Sequence, residues 1–504
     1  MRENTIKGRL SEYSAEIMAA ILIVQPFLDV LSFFMQKTNM TVLTTGLRMV
    51  LLVAVSVYGF IISDRKKSYA LIYMAMAAFW IIHMANCFRM GYQNIQLDIG
   101  EYFKLIQMPL WTMSFISMFK KRDNLNINAV GLLALNFLLI LVIIGLAYLT
   151  GTAAYTYDYP DRGIQIGVLG WFGVANTQSA IVSVLAAPLL LWAYRKERLW
   201  LFCLSCAAGF GLLYFTGTRF AYFSGMIVAA VLIVLIFISQ ENYRYCIPLA
   251  VCLVLFLCLQ GFSPMADRRQ MASDTHLAYQ EKTDAIMGDD KDFVYVKNEE
   301  IPAATLAKIE RVYHEVYGVK GDLGNTLLGD LIDRFGVDAV MRKYDYSLDA
   351  DILYDVRVKR LNYCSLVMDS KDVMTKLFGY EYAETYYGDN SIYDPENDFP
   401  ALFYFYGYVG TALYAAFILY FVFIALRALI QDFHGFFSIE AGVAALMAVL
   451  ILAAAQFSGQ VLRKPSIEVY LSFALALIYS FVNKPAVEKF SSIKKKSIVS
   501  IKKL

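Results

Sequence analysis

Residues 246–284 read CIPLAVCLVLFLCLQGFSPMADRRQMASDTHLAYQEKTD, and residues 394–427 read DPENDFPALFYFYGYVGTALYAAFILYFVFIALR. Between these two boundaries, residues 263–398 form one long polar segment in a chain that is otherwise nearly all apolar. The runs on either side are long enough to cross a hydrocarbon core of about 30 Å. The sequence therefore reads as a membrane protein with one large extramembranous domain late in the chain.

Composition agrees. Of 504 residues, 58% are hydrophobic and 17% charged, and the mean hydropathy is +0.50, outside the range of soluble domains. About twelve spans are expected, at 15–35, 41–62, 69–87, 100–119, 128–150, 170–193, 199–215, 219–239, 243–262, 399–427, 437–457 and 466–483. The fold class is thus an all-α polytopic membrane protein. The first run holds Gln25, Pro26 and Asp29 and lacks a small-residue cleavage site, so it reads as a retained span.

Lys and Arg set the expected orientation. Alternate loops carry Asp64-Arg65-Lys66-Lys67, Lys120-Lys121-Arg122, Arg195-Lys196-Glu197-Arg198 and Arg244, and the tail carries Lys494-Lys495-Lys496 and Lys502-Lys503. The positive-inside rule places these loops and both termini in the cytoplasm of a cell-membrane protein. Residues 263–398, with 27 Asp/Glu against 16 Lys/Arg, then face outside. Four parts follow: a bundle of about nine spans (1–262), an extracytoplasmic helical domain (263–398), about three further spans (399–483) and a basic tail (484–504). A tail of this kind suits anionic inner-leaflet lipids, not nucleic acid.

Seven cysteines give no disulfide framework, because Cys203, Cys206, Cys246, Cys252 and Cys258 lie in apolar spans. The Cys203-x-x-Cys206 pair lacks polar flanks and reads as packing. Four separated histidines, His83, His276, His314 and His434, suggest no metal site.

Inside the polar segment, 302–317 places Leu306, Ile309, Tyr313 and Val316 at helical spacing, with Pro302 in the first turn. Further helices are expected at 325–343, 349–368 and 370–378, the last capped by Ser370. Residues 380–398 turn loop-like, aromatic and acidic. Tyrosines 380, 382, 386, 387 and 393 suit either sugar stacking or interfacial anchoring.

Ionisable residues in or beside spans are costly and mark substrate paths or structural pairs. They are Asp29, Arg48, Arg89, Glu101 with Lys104, Arg219 and Arg463-Lys464, all near outer span ends on this topology. Arg219 follows Thr216-Gly217-Thr218, a close-approach turn. Arginine forks match phosphate oxygens with paired hydrogen bonds, so Arg48, Arg219 and Arg463 point to a bound diphosphate.

Several stretches, in order, resemble the O-antigen ligase/polymerase superfamily in its Gram-positive form. They are QPFLDVLSFF (25–34), TVLTTGLRMVLL (41–52), GEYFKLIQMPLW (100–111), GWFGVANTQSAIVSVLAAPLL (170–190), TGTRFAYFSG (216–225), PENDFPALFYFYGYVGTALY (395–414) and SGQVLRKPSIEVYL (458–471). The resemblance implies a C-type, metal- and cofactor-independent inverting glycosyltransferase. Its donor is an undecaprenyl-diphosphate-linked glycan, its acceptor a hydroxyl, and its surroundings membrane lipid. The family's arginine after the Ser/Thr-rich turn matches Arg219; its outer-loop arginine matches Arg360, with Arg357 as rival. Ligases carry a His-Asn pair before the next span, where this chain has Glu396-Asn397-Asp398. That departure favours a polymerase of capsule or exopolysaccharide repeat units over a ligase.

The same chemistry follows from the residues. A leaving diphosphate needs fixed positive charge, and the acceptor hydroxyl needs a base, for which Glu396 and Asp398 stand at headgroup depth. A lipid-linked oligosaccharide flippase is the alternative, although no repeated halves are visible. A chain-length regulator and a flippase are the expected protein partners.

Overall fold

The computed structural model describes residues 6–121, 125–159, 163–240, 242–297, 299–319, 327–387 and 391–483. The basic tail lies outside the described residues. Each of the twelve expected spans is a helix. Among the described residues, nine are long and apolar enough to cross a membrane: Ser14–Lys37 (first), Thr41–Ile62 (second), Lys66–Met90 (third), Asn128–Leu149 (fifth), Ala175–Arg195 (sixth), Arg219–Ile238 (eighth), Asp398–Gln431 (tenth), Ile439–Phe457 (eleventh) and Pro465–Val482 (twelfth). The seventh, Leu199–Phe215, and ninth, Tyr243–Cys258, are apolar but shorter. The fourth, Ile95–Phe119, is 25 residues long and carries Asp98 in its first turn.

The sixth span lies at the centre, 94% buried, whereas the third and tenth are only 22% buried. Its Ser179, Ala180, Ser183, Ala186 and Ala187 are small enough to admit neighbours on every side. The serine hydroxyls find partners within the helix, as where Ser183 Oγ donates to Ser179 O at 2.7 Å. The twelfth span packs along the fourth and is tied to it by Ser472 Oγ donating to Met108 O at 2.9 Å.

The sixth helix starts at Ala175, later than the apolar run that begins at 170. A hairpin precedes it, with β1 (Tyr157–Tyr159) antiparallel to β2 (Ile164–Ile166) and Tyr157 opposite Ile166. Gly170 also pairs with Ala154, which holds this stretch extended.

The polar segment is helical as expected, with four local corrections. The run 349–368 is interrupted ahead of Asp355, giving Ala350–Leu353 and Val356–Asp369. The run 325–343 is divided, because Gly336 (φ 82°, ψ 148°) breaks it into Gly329–Phe335 and Val337–Lys343. Ser370 ends the Val356–Asp369 helix, and Asp372 caps Val373–Phe378 by accepting from Thr375 N at 3.0 Å. Pro302 stands just before Ala303–Arg311, extended at ψ 137°, not inside its first turn. A further long helix, Pro264–Met287, opens the segment with Ser263 as its cap.

Side chains of the third and fourth spans grip this domain around Gly379. Asn86 Nδ2 donates to Gly379 O at 3.1 Å, and the His83 ring bridges Phe378 O (2.7 Å) and Asp98 Oδ2 (2.9 Å). Asp98 Oδ1 accepts from Tyr382 N at 3.1 Å. Glu381 accepts from the Gln93 and Asn94 backbone N–H groups. Burial pushes the Glu381 carboxyl above its ordinary range, and those two N–H donors pull the other way.

Candidate active site

The acidic turn ahead of the tenth span is folded around one guanidinium. Arg463 Nη1 donates to Asp394 Oδ1 at 2.7 Å, its Nη2 to Pro395 O at 2.7 Å, and its Nε to Asp398 Oδ1 at 3.3 Å. Glu101 Oε2 stands 3.6 Å from the same group. Asp398 also accepts from Val461 N (2.6 Å) and Leu462 N (3.0 Å). Arg463 is 3% exposed and Asp398 0%. Both were expected to meet substrate, as diphosphate ligand and as base. Enclosure leaves neither any surface for one, because a buried charge is retained by the partners that surround it.

Glu396 faces the other way. Its carboxylate accepts from Arg357 Nε at 2.7 Å and from Arg360 Nη1 at 3.1 Å. The three side chains are 19%, 38% and 28% exposed respectively. Arg357 also donates to Phe457 O (3.1 Å) and Ser458 O (3.3 Å), the end of the eleventh span. The two arginines share one helix because Asp355 caps it, accepting from Arg357 N at 2.7 Å. Gly459 (φ 80°) lets the following turn close on the acidic loop. A Cβ there would lie 2.5 Å from Glu396 O, which accepts from Gln460 N at 2.6 Å.

A third element approaches from the eighth span. Gly217 (φ 78°) makes the close approach expected of the Thr216–Thr218 turn: a Cβ on it would meet Gly167 Cα and Pro264 Cβ, each at 3.2 Å. Thr156 Oγ1 donates to Thr216 O at 2.6 Å and fixes the hairpin on this turn. Thr218 caps the eighth span, accepting from Ala221 N, so Arg219 is the first helical residue and is exposed. Tyr157 on β1 is the meeting point. Arg268 donates to its hydroxyl at 2.6 Å and stacks 4.0 Å from its ring. Burial raises the Tyr157 phenol, while Arg268, Arg357 and Arg219, all within electrostatic reach, lower it. Arg268, Arg357 and Arg219, from three helices, thus surround Tyr157 electrostatically, and Glu396 is the carboxylate that bridges Arg357 and Arg360.

A family model for O-antigen ligase-like membrane proteins matches residues 11–484. The chain belongs to this family. The comparisons with curated proteins and with solved structures returned no match. Membership in the O-antigen ligase-like family makes the chain a membrane protein of the glycan ligase/polymerase type, a glycosyltransferase class that uses lipid-linked glycans.

For an O-antigen ligase-like chain, the remaining residues sort by environment. Arg48 Nη2 pairs with Asp29 Oδ1 at 2.6 Å, and Ser466 Oγ donates to that oxygen at 2.5 Å. This arrangement ties the first, second and twelfth spans and leaves Arg48 9% exposed, so it too is withdrawn from the arginine face. Arg89 pairs with Asp372 at 2.6 Å, and Lys104 with Glu101. His83 Nε2, Cys87 Sγ and Asp98 Oδ2 lie within 4.8 Å of one another, the one such metal-ligand grouping among the described residues. The scattered histidines gave no sign of it, since His83 meets Asp98 only through the packing of two spans. Of the five tyrosines considered for sugars, 380, 382 and 393 are buried; Tyr393 stacks on Tyr363 at 4.1 Å. Arg268 and Tyr157 had no signal in the sequence, because a hairpin between spans brings them to the site.

Proposed function

We propose that this chain polymerises undecaprenyl-diphosphate-linked oligosaccharide repeat units of a surface polysaccharide, with residues 263–398 outside and both termini in the cytoplasm. The observation that carries this reading is the Glu396 carboxylate held by Arg357 and Arg360 on a partly exposed face, with Arg219 and Arg268 beside Tyr157, which Arg357 also reaches electrostatically. Glu396 occupies ground that suits a diphosphate. A donor diphosphate takes over the guanidinium contacts, which releases the carboxylate toward the acceptor.

The acceptor hydroxyl oxygen then attacks the anomeric carbon from the face opposite the diphosphate, and the configuration inverts. The sugar–oxygen bond to diphosphate breaks, and the electron pair leaves with the diphosphate, whose growing charge the arginines offset. The hydroxyl proton passes to Glu396. Asp398 and Arg463 act as positioning residues that hold the 394–398 turn.

Purified protein supplied with synthetic lipid-linked repeat units should give a ladder of longer glycans without nucleotide, and the ladder should survive EDTA. Transfer to a non-glycan surface acceptor with no ladder would favour a ligase. Movement of the lipid across a bilayer without lengthening would favour a flippase. Co-purification from membranes would reveal a chain-length regulator or flippase partner.

A further inference from the structure

A cavity of about 270 Å³ opens at the end of the bundle remote from the polar domain. Its rim carries Ser63, Asp64, Arg65, Ser68, Lys120 and Lys121. Its walls are apolar, with Ile72, Met113, Ile116, Phe417 and Phe421 reaching inward between the third, fourth and tenth spans. We infer that it holds the headgroup phosphate and the first acyl segment of an anionic phospholipid.

Charge bookkeeping at the rim is the first ground. Asp64 is taken by Lys121 (2.7 Å) and Lys7 (2.6 Å), which hold its carboxyl down to about 2. The other two cations find no carboxylate among the described residues. Arg65 Nη1 and Lys120 Nζ both donate to the neutral Tyr479 hydroxyl, at 2.8 and 3.4 Å. Lys120 also lies over the Tyr479 ring at 5.1 Å. Burial is the main cause that disfavours the charged form of Lys120; Arg65 and Lys121 add to it, and Asp64 opposes them. Two cations converging on one neutral oxygen form a site short of an anion. The Ser63 and Ser68 side chains stand beside them to donate further hydrogen bonds.

The walls decide which anion. Free phosphate has no use for an apolar shaft, whereas a phospholipid places its phosphate at the rim and its chain along Ile72, Ile116 and Phe421. The third and tenth spans beside the cavity are among the least enclosed, so a lipid enters sideways between them. Basic pockets between spans select anionic headgroups by this combination.

The full chain, delipidated in detergent, is titrated with phosphatidylglycerol, phosphatidylcholine, polyprenyl phosphate or inorganic phosphate, and followed by native mass spectrometry and thermal unfolding. Phosphatidylglycerol should remain bound and raise the Tm, with at least a tenfold preference over phosphatidylcholine. Arg65→Gln combined with Lys120→Gln should remove that preference. Ile116→Trp, which fills the shaft and leaves every charge in place, should remove binding as well, while Lys120→Arg should keep it. Equal response to phosphatidylcholine, full saturation by inorganic phosphate, tighter retention of polyprenyl phosphate, or unchanged binding in the Trp variant would each overturn the assignment.

Discussion

Arg357 Nε donates to Glu396 Oε2 at 2.7 Å, while Arg360 Nη1 reaches the other oxygen of the same carboxylate at 3.1 Å. One anion therefore bridges two guanidiniums one helical turn apart on Val356–Asp369. A diphosphate offers the same two-point contact with more charge, so the ion pairs are replaceable. At this exposure they contribute little to stability on their own.

Arg360→Ala and Arg219→Ala should each lower polymer formation by at least about a hundredfold, the scale of losing one fixed donor to developing charge. Membrane abundance and monodispersity should be unchanged, since both side chains reach solvent. Arg219→Lys should remain poor, because a point charge does not copy a two-pronged contact. Normal polymer from both alanine variants would remove the diphosphate site.

Glu396→Gln should abolish the ladder while donor binding is kept or tightened, because the amide neither accepts the proton nor competes for the arginines as an anion. Retention of turnover in that variant would end its role as base. Asp398→Asn should instead reduce folded protein, as one acceptor becomes a donor facing Val461 N or Arg463.

Arg463→Met should destabilise the protein by about 3–5 kcal/mol, the usual result of leaving buried carboxylates without their partner. The loss should appear as a lower Tm in detergent, even when donor is absent. A variant with wild-type Tm and weakened donor binding would reverse this placement and return Arg463 to the substrate.

Orientation is checked with Lys297→Cys and Lys196→Cys in a background freed of native cysteines. An impermeant maleimide applied to intact cells should label the first and miss the second. The opposite pattern would put the arginine face in the cytoplasm, away from a polymer assembled outside.

The helices were legible because length and hydropathy specify them: all twelve apolar stretches hold a helix, and among the described residues nine of these are long and apolar enough to cross a membrane. Arg219 and the pair Arg357/Arg360 were singled out by a turn and by the resemblance, and the fold brings the pair onto one carboxylate. Which arginines stay open was not. Arg48, Arg219 and Arg463 look alike in sequence, and only tertiary partners distinguish them: Asp29 for the first, three carboxylates for the last. The helix breaks at Gly336 and Asp355 were missed because apolar spacing continues smoothly through both.

The tenth span has one more consequence. Its 34 residues are two helical segments joined at Gly407 (φ 63°, ψ −169°), and at 1.5 Å per residue the segment after the bend extends about 36 Å, enough by itself to cross a hydrocarbon core of about 30 Å. The short segment from Asp398 to the bend is a separate helical piece, additional to that length. On the proposed topology, this bent helix ties the height of Glu396 and its arginines to the span that follows Gly407. A carrier whose diphosphate rides at the water boundary can then reach the site with its tail still dissolved in lipid. Lengthening or shortening the helix by one turn, about 5 Å, would misplace the reacting bond without altering any residue that touches it.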